Sequence, residues 1–203
     1  MLPCKSYKNF LFDLDGTLID SKISIINSLN YAFNYFDKTI NLSDEVNIIG
    51  PPLDEVLSFL DTTNDKELQK ELKKIFILRY DSHEYLKTKV AKGVKPLLRN
   101  LSELNKRIII VTNKRSIPTR KIIKMFECFK VVSHCYSIDT FKQFNTKKLI
   151  LKEVLNINKL KKNETLYIGD TNGDFLAAKF NNIDFLRVVI NSSGSIEVIN
   201  KKF

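Results

Sequence analysis

The stretch Lys8-Asn9-Phe10-Leu11-Phe12-Asp13-Leu14-Asp15-Gly16-Thr17-Leu18 decides how the rest of the chain is read. An apolar run enters two carboxylates spaced i and i+2, and a glycine follows. Alternate side chains of an extended chain share a face, so Asp13 and Asp15 project to the same side. Gly16 supports a sharp turn that carries Asp15 over the ground Asp13 occupies. The expectation is a first strand over 7–12 that ends on paired acids. Taken alone, the two aspartates could equally be turn formers.

Four further runs have strand character, at 107–111, 130–133, 165–168 and 185–190. RIIIV is apolar at successive positions, as a strand covered on both faces requires, which points to a parallel sheet between helices. Helix-length segments lie between the strands, at 116–126, 146–155 and 174–181. This alternation predicts a doubly wound α/β core of Rossmann-like kind. From about Ile19 to Lys87 the rhythm changes, and only helical patterns are found. In 21–36, Ile25, Ile26, Leu29, Ala32, Phe33 and Phe36 recur at spacings of three and four. Segments 53–60 and 68–80 follow the same rule. The expected organisation is a discontinuous core, 1–19 and 88–203, with an all-helical cap, 20–87, inserted after the first strand.

Thr112-Asn113 follows the second strand and Gly169-Asp170 follows the strand at 165–168. In open α/β sheets ligands bind at the carboxyl ends of the strands, so these segments and Asp13 are expected to converge.

Composition narrows the field. Of 203 residues, 43% are hydrophobic and 28% charged, values of an ordinary globular protein. No apolar run reaches the ~20 residues of a membrane helix, and the N-terminal stretch turns acidic too early for a secretory signal. The cytoplasm is the expected location. Cys4, Cys128 and Cys135 form no CxxC or Cys/His array, so incidental thiols are expected. The net charge of +10 raises nucleic-acid binding. However, the lysines are dispersed, dense only in LKKNE and the tail NKKF, and lack interleaved aromatics. His83 and His134 stand alone, without a partner at metal-ligand spacing.

The DxDGT sequence at 13–17 resembles the first motif of the haloacid dehalogenase-like hydrolases, and the family's other motifs follow in order. Thr112-Asn113 matches the second, a phosphate-binding Ser or Thr. Gly169-Asp170-Thr171-Asn172-Gly173-Asp174 is similar to the fourth, GDSxxD. FLAAKFNN then resembles AAxxAG, with Asn181 and Asn182 in place of Ala-Gly. The resemblance implies Mg2+ as cofactor, held by Asp13, Asp170 and the backbone carbonyl of Asp15, with Asp174 bracing that set. It implies Asp13 as nucleophile, forming an aspartyl-phosphate. Asp15 would be general acid and base, and Thr112 and Asn113 would bind the phosphoryl group.

The third motif, a lysine, departs from the common Lys-Pro-x-Pro. Phe141-Lys-Gln-Phe-Asn-Thr-Lys-Lys148 contains no proline. Lys147 is the favoured match, through a resemblance of TKKLILKEVL to NKTEVIxxVL, with Lys142 and Lys148 as alternatives. Ile49-Gly50-Pro51-Pro52-Leu53 resembles the IGxPL element of phosphoglycolate-phosphatase-like members, and VTNK makes Lys114 a neighbour of the site. The implied function is hydrolysis of a small phosphorylated metabolite by a monomer or homodimer. A beta-phosphoglucomutase-like mutase and a non-catalytic binding protein are the alternatives.

Overall fold

The computed structural model describes residues 7–40, 42, 48–144 and 146–199. Cys4 and the NKKF tail lie outside the described residues. The central sheet takes β1 (Asn9–Phe12), β4 (Arg107–Thr112), β5 (His134–Ser137), β6 (Thr165–Gly169), β7 (Asp184–Ile190) and β8 (Ile196–Val198) in the order β5-β4-β1-β6-β7-β8. All neighbours are parallel except β8, which pairs antiparallel with β7.

β1 lies between β4 and β6, with Phe12 opposite both Ile110 and Ile168. Its neighbours explain its composition. Phe10 and Phe12 join Ile108, Ile110, Leu166 and Ile168 in the core on one face. Leu11 joins Ile109, Val111 and Tyr167 on the other. A strand buried on both faces favours apolar side chains at successive positions, and the buried Asn9 that opens β1 is satisfied by donating to the Glu164 carbonyl and Thr165 Oγ1. Helices α4 (Val94–Glu103) and α5 (Ser116–Met125) cover the first face through residues such as Leu98 and Ile122. Helices α6 (Lys147–Ile157) and α7 (Asn172–Asn181) cover the second through Leu151, Val154, Ala177 and Ala178.

From β4 the chain steps outward to β5, then returns through α6 to β6 on the opposite side of β1. The strand order therefore switches direction at β1, where the crevice of such sheets lies.

Between β1 and β4 come α1 (Lys22–Asn34), α2 (Leu53–Leu60) and α3 (Lys66–Ser82). They bury a cluster of their own around Leu29, Phe33, Leu57, Leu72 and Phe76. Asp65 caps α3, accepting from the N–H groups of Glu67 and Leu68. The chain leaves and re-enters the sheet side by side, because β2 (Ile19–Asp20) pairs antiparallel with β3 (Lys89–Val90). Just before β3, the fully buried Glu84 accepts from Asn27 at 3.0 Å and pairs with Arg79 at 2.7 Å and Lys87 at 2.8 Å.

Some expectations need correction. The strand expected at 130–133 lies four residues later, at His134–Ser137. Residues 127–131 instead form a tight helical turn that buries Phe129. β5 is an edge strand, half-buried or exposed over most of its length, so no apolar run marks it. The stretch after Ile19 was expected to hold no strand, yet β2 begins it. Two residues are too few for a periodic signal. Among the described residues, no helix is long and apolar enough to cross a membrane.

Candidate active site

Asp13 directly follows β1 at the switch point, and its N–H donates to the Ile168 carbonyl at 2.8 Å. The side chain is 1% exposed. Lys147, the first residue of α6, donates from Nζ to Asp13 Oδ1 at 2.8 Å and to Asp174 Oδ1 at 2.6 Å. Lys147 is buried, whereas Lys142 and Lys148 are exposed. Of the three candidate lysines, the fold brings Lys147 to Asp13.

Asp174 is more constrained than Asp13. Its Oδ1 also accepts from Tyr167 Oη at 3.0 Å. Its Oδ2 accepts from Thr171 N at 3.0 Å and Thr171 Oγ1 at 2.6 Å. Thr171 in turn accepts from the Asp174 N–H, closing a capping box at the start of α7. The same carboxylate thus caps a helix and anchors the lysine.

Asp170 accepts from Thr17 Oγ1 at 3.2 Å, and its backbone carbonyl accepts from Arg187 Nε at 2.9 Å. The turn after Asp15 approaches it closely. Gly16 has φ +78°, and a Cβ there would collide with Asp170 Oδ2, so the position requires glycine.

The charges do not balance. Carboxylate oxygens of Asp13, Asp170 and Asp174 lie within 4.8 Å of one another, and Lys147 is the cation bound among them. Burial, then the Asp174 charge, pushes the Asp170 carboxyl up to about 7. Burial also raises Asp13 well above the ordinary range, against the pull of Lys147. Burial also pushes Asp174 up, but Lys147 and the hydrogen bonds from Thr171 together outweigh it and hold its carboxyl below the ordinary range. Asp13 Oδ2 is buried with no hydrogen-bond partner. Excess negative charge, hard oxygen donors and an orphaned carboxylate oxygen are what a small divalent cation such as Mg2+ fits.

Asp15 belongs to a second ion pair. Lys114 Nζ donates to its Oδ1 at 2.9 Å and Oδ2 at 3.2 Å, and Ser21 Oγ donates to Oδ1 at 2.5 Å. The ammonium also lies 4.4 Å from the ring centroid of Tyr80 in α3. Burial pulls the Lys114 ammonium down, but Asp15 and Tyr80 outweigh it and hold it above its usual value.

Thr112, at the end of β4, is buried, and its Oγ1 accepts from Lys114 N at 3.1 Å. Asn113 Nδ2 donates to the Gly50 carbonyl at 2.8 Å, so its amide group holds the loop before α2. That loop passes close over the sheet. Gly50 has φ +93°, and a Cβ there would strike Thr171 Cγ2. Asp13, Asp15 and Thr112 line a cavity of about 80 Å³ between the strand ends and the inserted helices.

Residues 10–188 match the haloacid dehalogenase-like hydrolase family. The chain belongs to that family. It is 28% identical over 170 residues to pyrophosphatase PpaX of Halalkalibacterium halodurans, covering 83% of this chain and 77% of the relative. The crystal structure of a predicted phosphatase from Clostridium acetobutylicum superposes with a TM-score of 0.80 at 25% identity, over 89% of this chain and 84% of the other. A haloacid dehalogenase-like hydrolase from Streptococcus pneumoniae shares the fold with a TM-score of 0.81 at 24% identity, covering 90% and 84%.

Tyr167 and Tyr80 are among the contributors to this haloacid dehalogenase-like site that stand outside the residues selected from sequence, as are Ser21 and Arg187. Tyr167 binds Asp174 from within β6, where it reads as an ordinary core aromatic. Tyr80 sits on Lys114 from the inserted helices, where helical spacing marks it only as packing. His83 and His134 are both exposed and stand apart from the cluster.

Proposed function

We propose that the chain is a magnesium-dependent phosphatase acting on a small phosphorylated metabolite, with residues 20–87 as a cap on a core made of 1–19 and 88–203. One observation carries the reading. Asp13 lines the cavity with one carboxylate oxygen tied to Lys147 and the other without a partner. This is a nucleophile held ready for attack.

Asp13 Oδ2 attacks phosphorus, and the bond from phosphorus to the ester oxygen breaks, leaving an aspartyl-phosphate. Lys147 keeps Asp13 oriented and offsets its charge as the phosphate approaches. The Thr112 hydroxyl and neighbouring backbone N–H groups hold the phosphoryl oxygens. Asp15 gives its proton to the departing oxygen, then takes one from the water that cleaves the intermediate. Between those steps its carboxylate is held by Lys114 and Ser21. Asp13, Asp170 and the Asp15 carbonyl would hold Mg2+, which would supply positive charge to offset that of the phosphate. Asp174, itself held by Tyr167 and Thr171, braces Lys147.

The test is phosphate release from a panel of phosphorylated metabolites, with magnesium and with chelator. Release that requires magnesium and falls at least ~10⁴-fold in Asp13→Asn is expected. Unchanged turnover in Asp13→Asn would sink the mechanism, and conversion of a sugar phosphate to its isomer without phosphate release would replace the phosphatase by a mutase.

A further inference from the structure

The cavity has two unlike walls. The sheet side supplies Asp13, Asp15, Thr112 and Asn113, the polar groups of the chemistry just described. Facing them are Ile25, Ile48, Leu53, Val56, Phe76 and Tyr80. Among the described residues, the inserted helices and the loop before α2, which also supplies Pro51, thus bring to the cavity six hydrocarbon side chains and one phenol.

The two cations that also line the cavity, Lys114 and Arg115, are already engaged. Lys114 is bound to Asp15 at 2.9 Å, and Arg115 pairs with Asp81 of α3 at 2.7 Å. Recruiting Arg115 to a second anionic group on the substrate would leave the largely buried Asp81 carboxylate behind. Recruiting Lys114 would leave Asp15 without its cation once that carboxyl has given up its proton. Either is costly. A sugar hydroxyl pressed against the apolar wall would lose its water partners and gain none. The cavity is also small, about 80 Å³, against the ~300–1,000 Å³ of pockets for drug-sized ligands.

We propose that this pocket selects phosphate monoesters whose leaving group is apolar and uncharged, a short alkyl or small aryl alcohol. Esters of polyols, esters of carboxylated alcohols, and pyrophosphate are discriminated against. The inference rests on the phosphatase reading and adds to it the class of substrate.

Matched pairs test it on the intact protein with magnesium. Ethyl phosphate is compared with phosphoglycolate, propyl phosphate with glycerol 3-phosphate, and phenyl phosphate with pyrophosphate, each by phosphate release. The apolar member is expected to have the higher kcat/KM by about tenfold or more in each pair. Equal or better turnover of the charged or hydroxylated members overturns the inference and leaves the phosphatase reading standing. No release from any ester overturns the phosphatase reading itself, and the inference falls with it. Ile25→Lys, at a half-buried position, places a cation on the apolar wall and is expected to close the gap between ethyl phosphate and phosphoglycolate about tenfold. A folded variant with an unchanged gap shows that this wall does not read the leaving group, which also overturns the inference. Should the variant fail to fold, the comparison on the natural protein decides.

Discussion

Two lysines serve two aspartates in this molecule, and their surroundings differ. Lys147 joins Asp13 and Asp174 wholly within the sheet and the helices on it, and all three are buried. Lys114 joins Asp15 across the boundary, with Tyr80 of the inserted helices over its ammonium. The first network is complete without the insert. In the second, one face belongs to the insert, and the insert is tied to the sheet domain by a few polar contacts. These include Asn113 to Gly50, Arg115 to Asp81, and Lys121 to the Asp81 carbonyl. Asp13, the proposed nucleophile, is therefore preset by the sheet, while Asp15, the proposed acid–base group, is set partly by whatever positions the insert.

Substitutions can break or sharpen this contrast. The largest effect is expected for Lys147→Met, which leaves Asp13 and Asp174 buried without their shared cation. A loss of about 3–5 kcal/mol in stability at neutral pH, read by urea denaturation, should accompany loss of turnover. Undiminished stability would mean that the sheet network is not preset. Asp15→Asn keeps an amide oxygen for Lys114 and Ser21 to donate to, and should lose about 10²–10⁴ in kcat. The loss should shrink for esters with good leaving groups, which need no proton, and an equal loss for all esters would argue against an acid–base role.

The surplus charge makes a pH prediction whose sign is set by Asp170. Its carboxyl rises from 3.8 to about 7 in the folded protein, so the folded state holds the proton more tightly than the unfolded chain. The stabilising contribution is fully present below pH 3.8 and is lost as pH rises to about 7. Metal-free protein should therefore lose thermal stability across that window. Asp170→Asn should flatten the fall, and magnesium should raise the melting temperature most at the upper end. A melting temperature indifferent to magnesium would separate the cluster from metal binding.

Gly50→Ala should have the smallest effect. The left-handed backbone and the collision with Thr171 would displace the loop at about 1–3 kcal/mol. A raised KM with kcat nearly kept is expected, since the loop touches the insert side of the cavity rather than Asp13. A fall in kcat alone would show that the sheet network depends on the insert after all.

Local rules explain which parts of this structure were legible. Strands β1, β4 and β6 announce themselves because each is buried on both faces, and α1 to α3 because each has one apolar stripe. The family motifs located Asp13, Thr112 and Asp170 at strand ends, where they lie. Edge strand β5 and the two-residue ribbon of β2 and β3 leave no such trace, since their pairing rests on backbone bonds between distant segments.

The amino-acid sequence by itself determined the sheet, its wrapping by helices and the acids at its strand ends, because burial on fixed faces is written in side-chain periodicity. Only the tertiary structure decided that Lys147 rather than Lys142 or Lys148 meets Asp13 across 134 residues, and that Lys114 meets Asp15 across 99. It also decided that apolar side chains of the insert face the acids. Such meetings depend on how whole elements dock, and no local pattern in the chain encodes that docking.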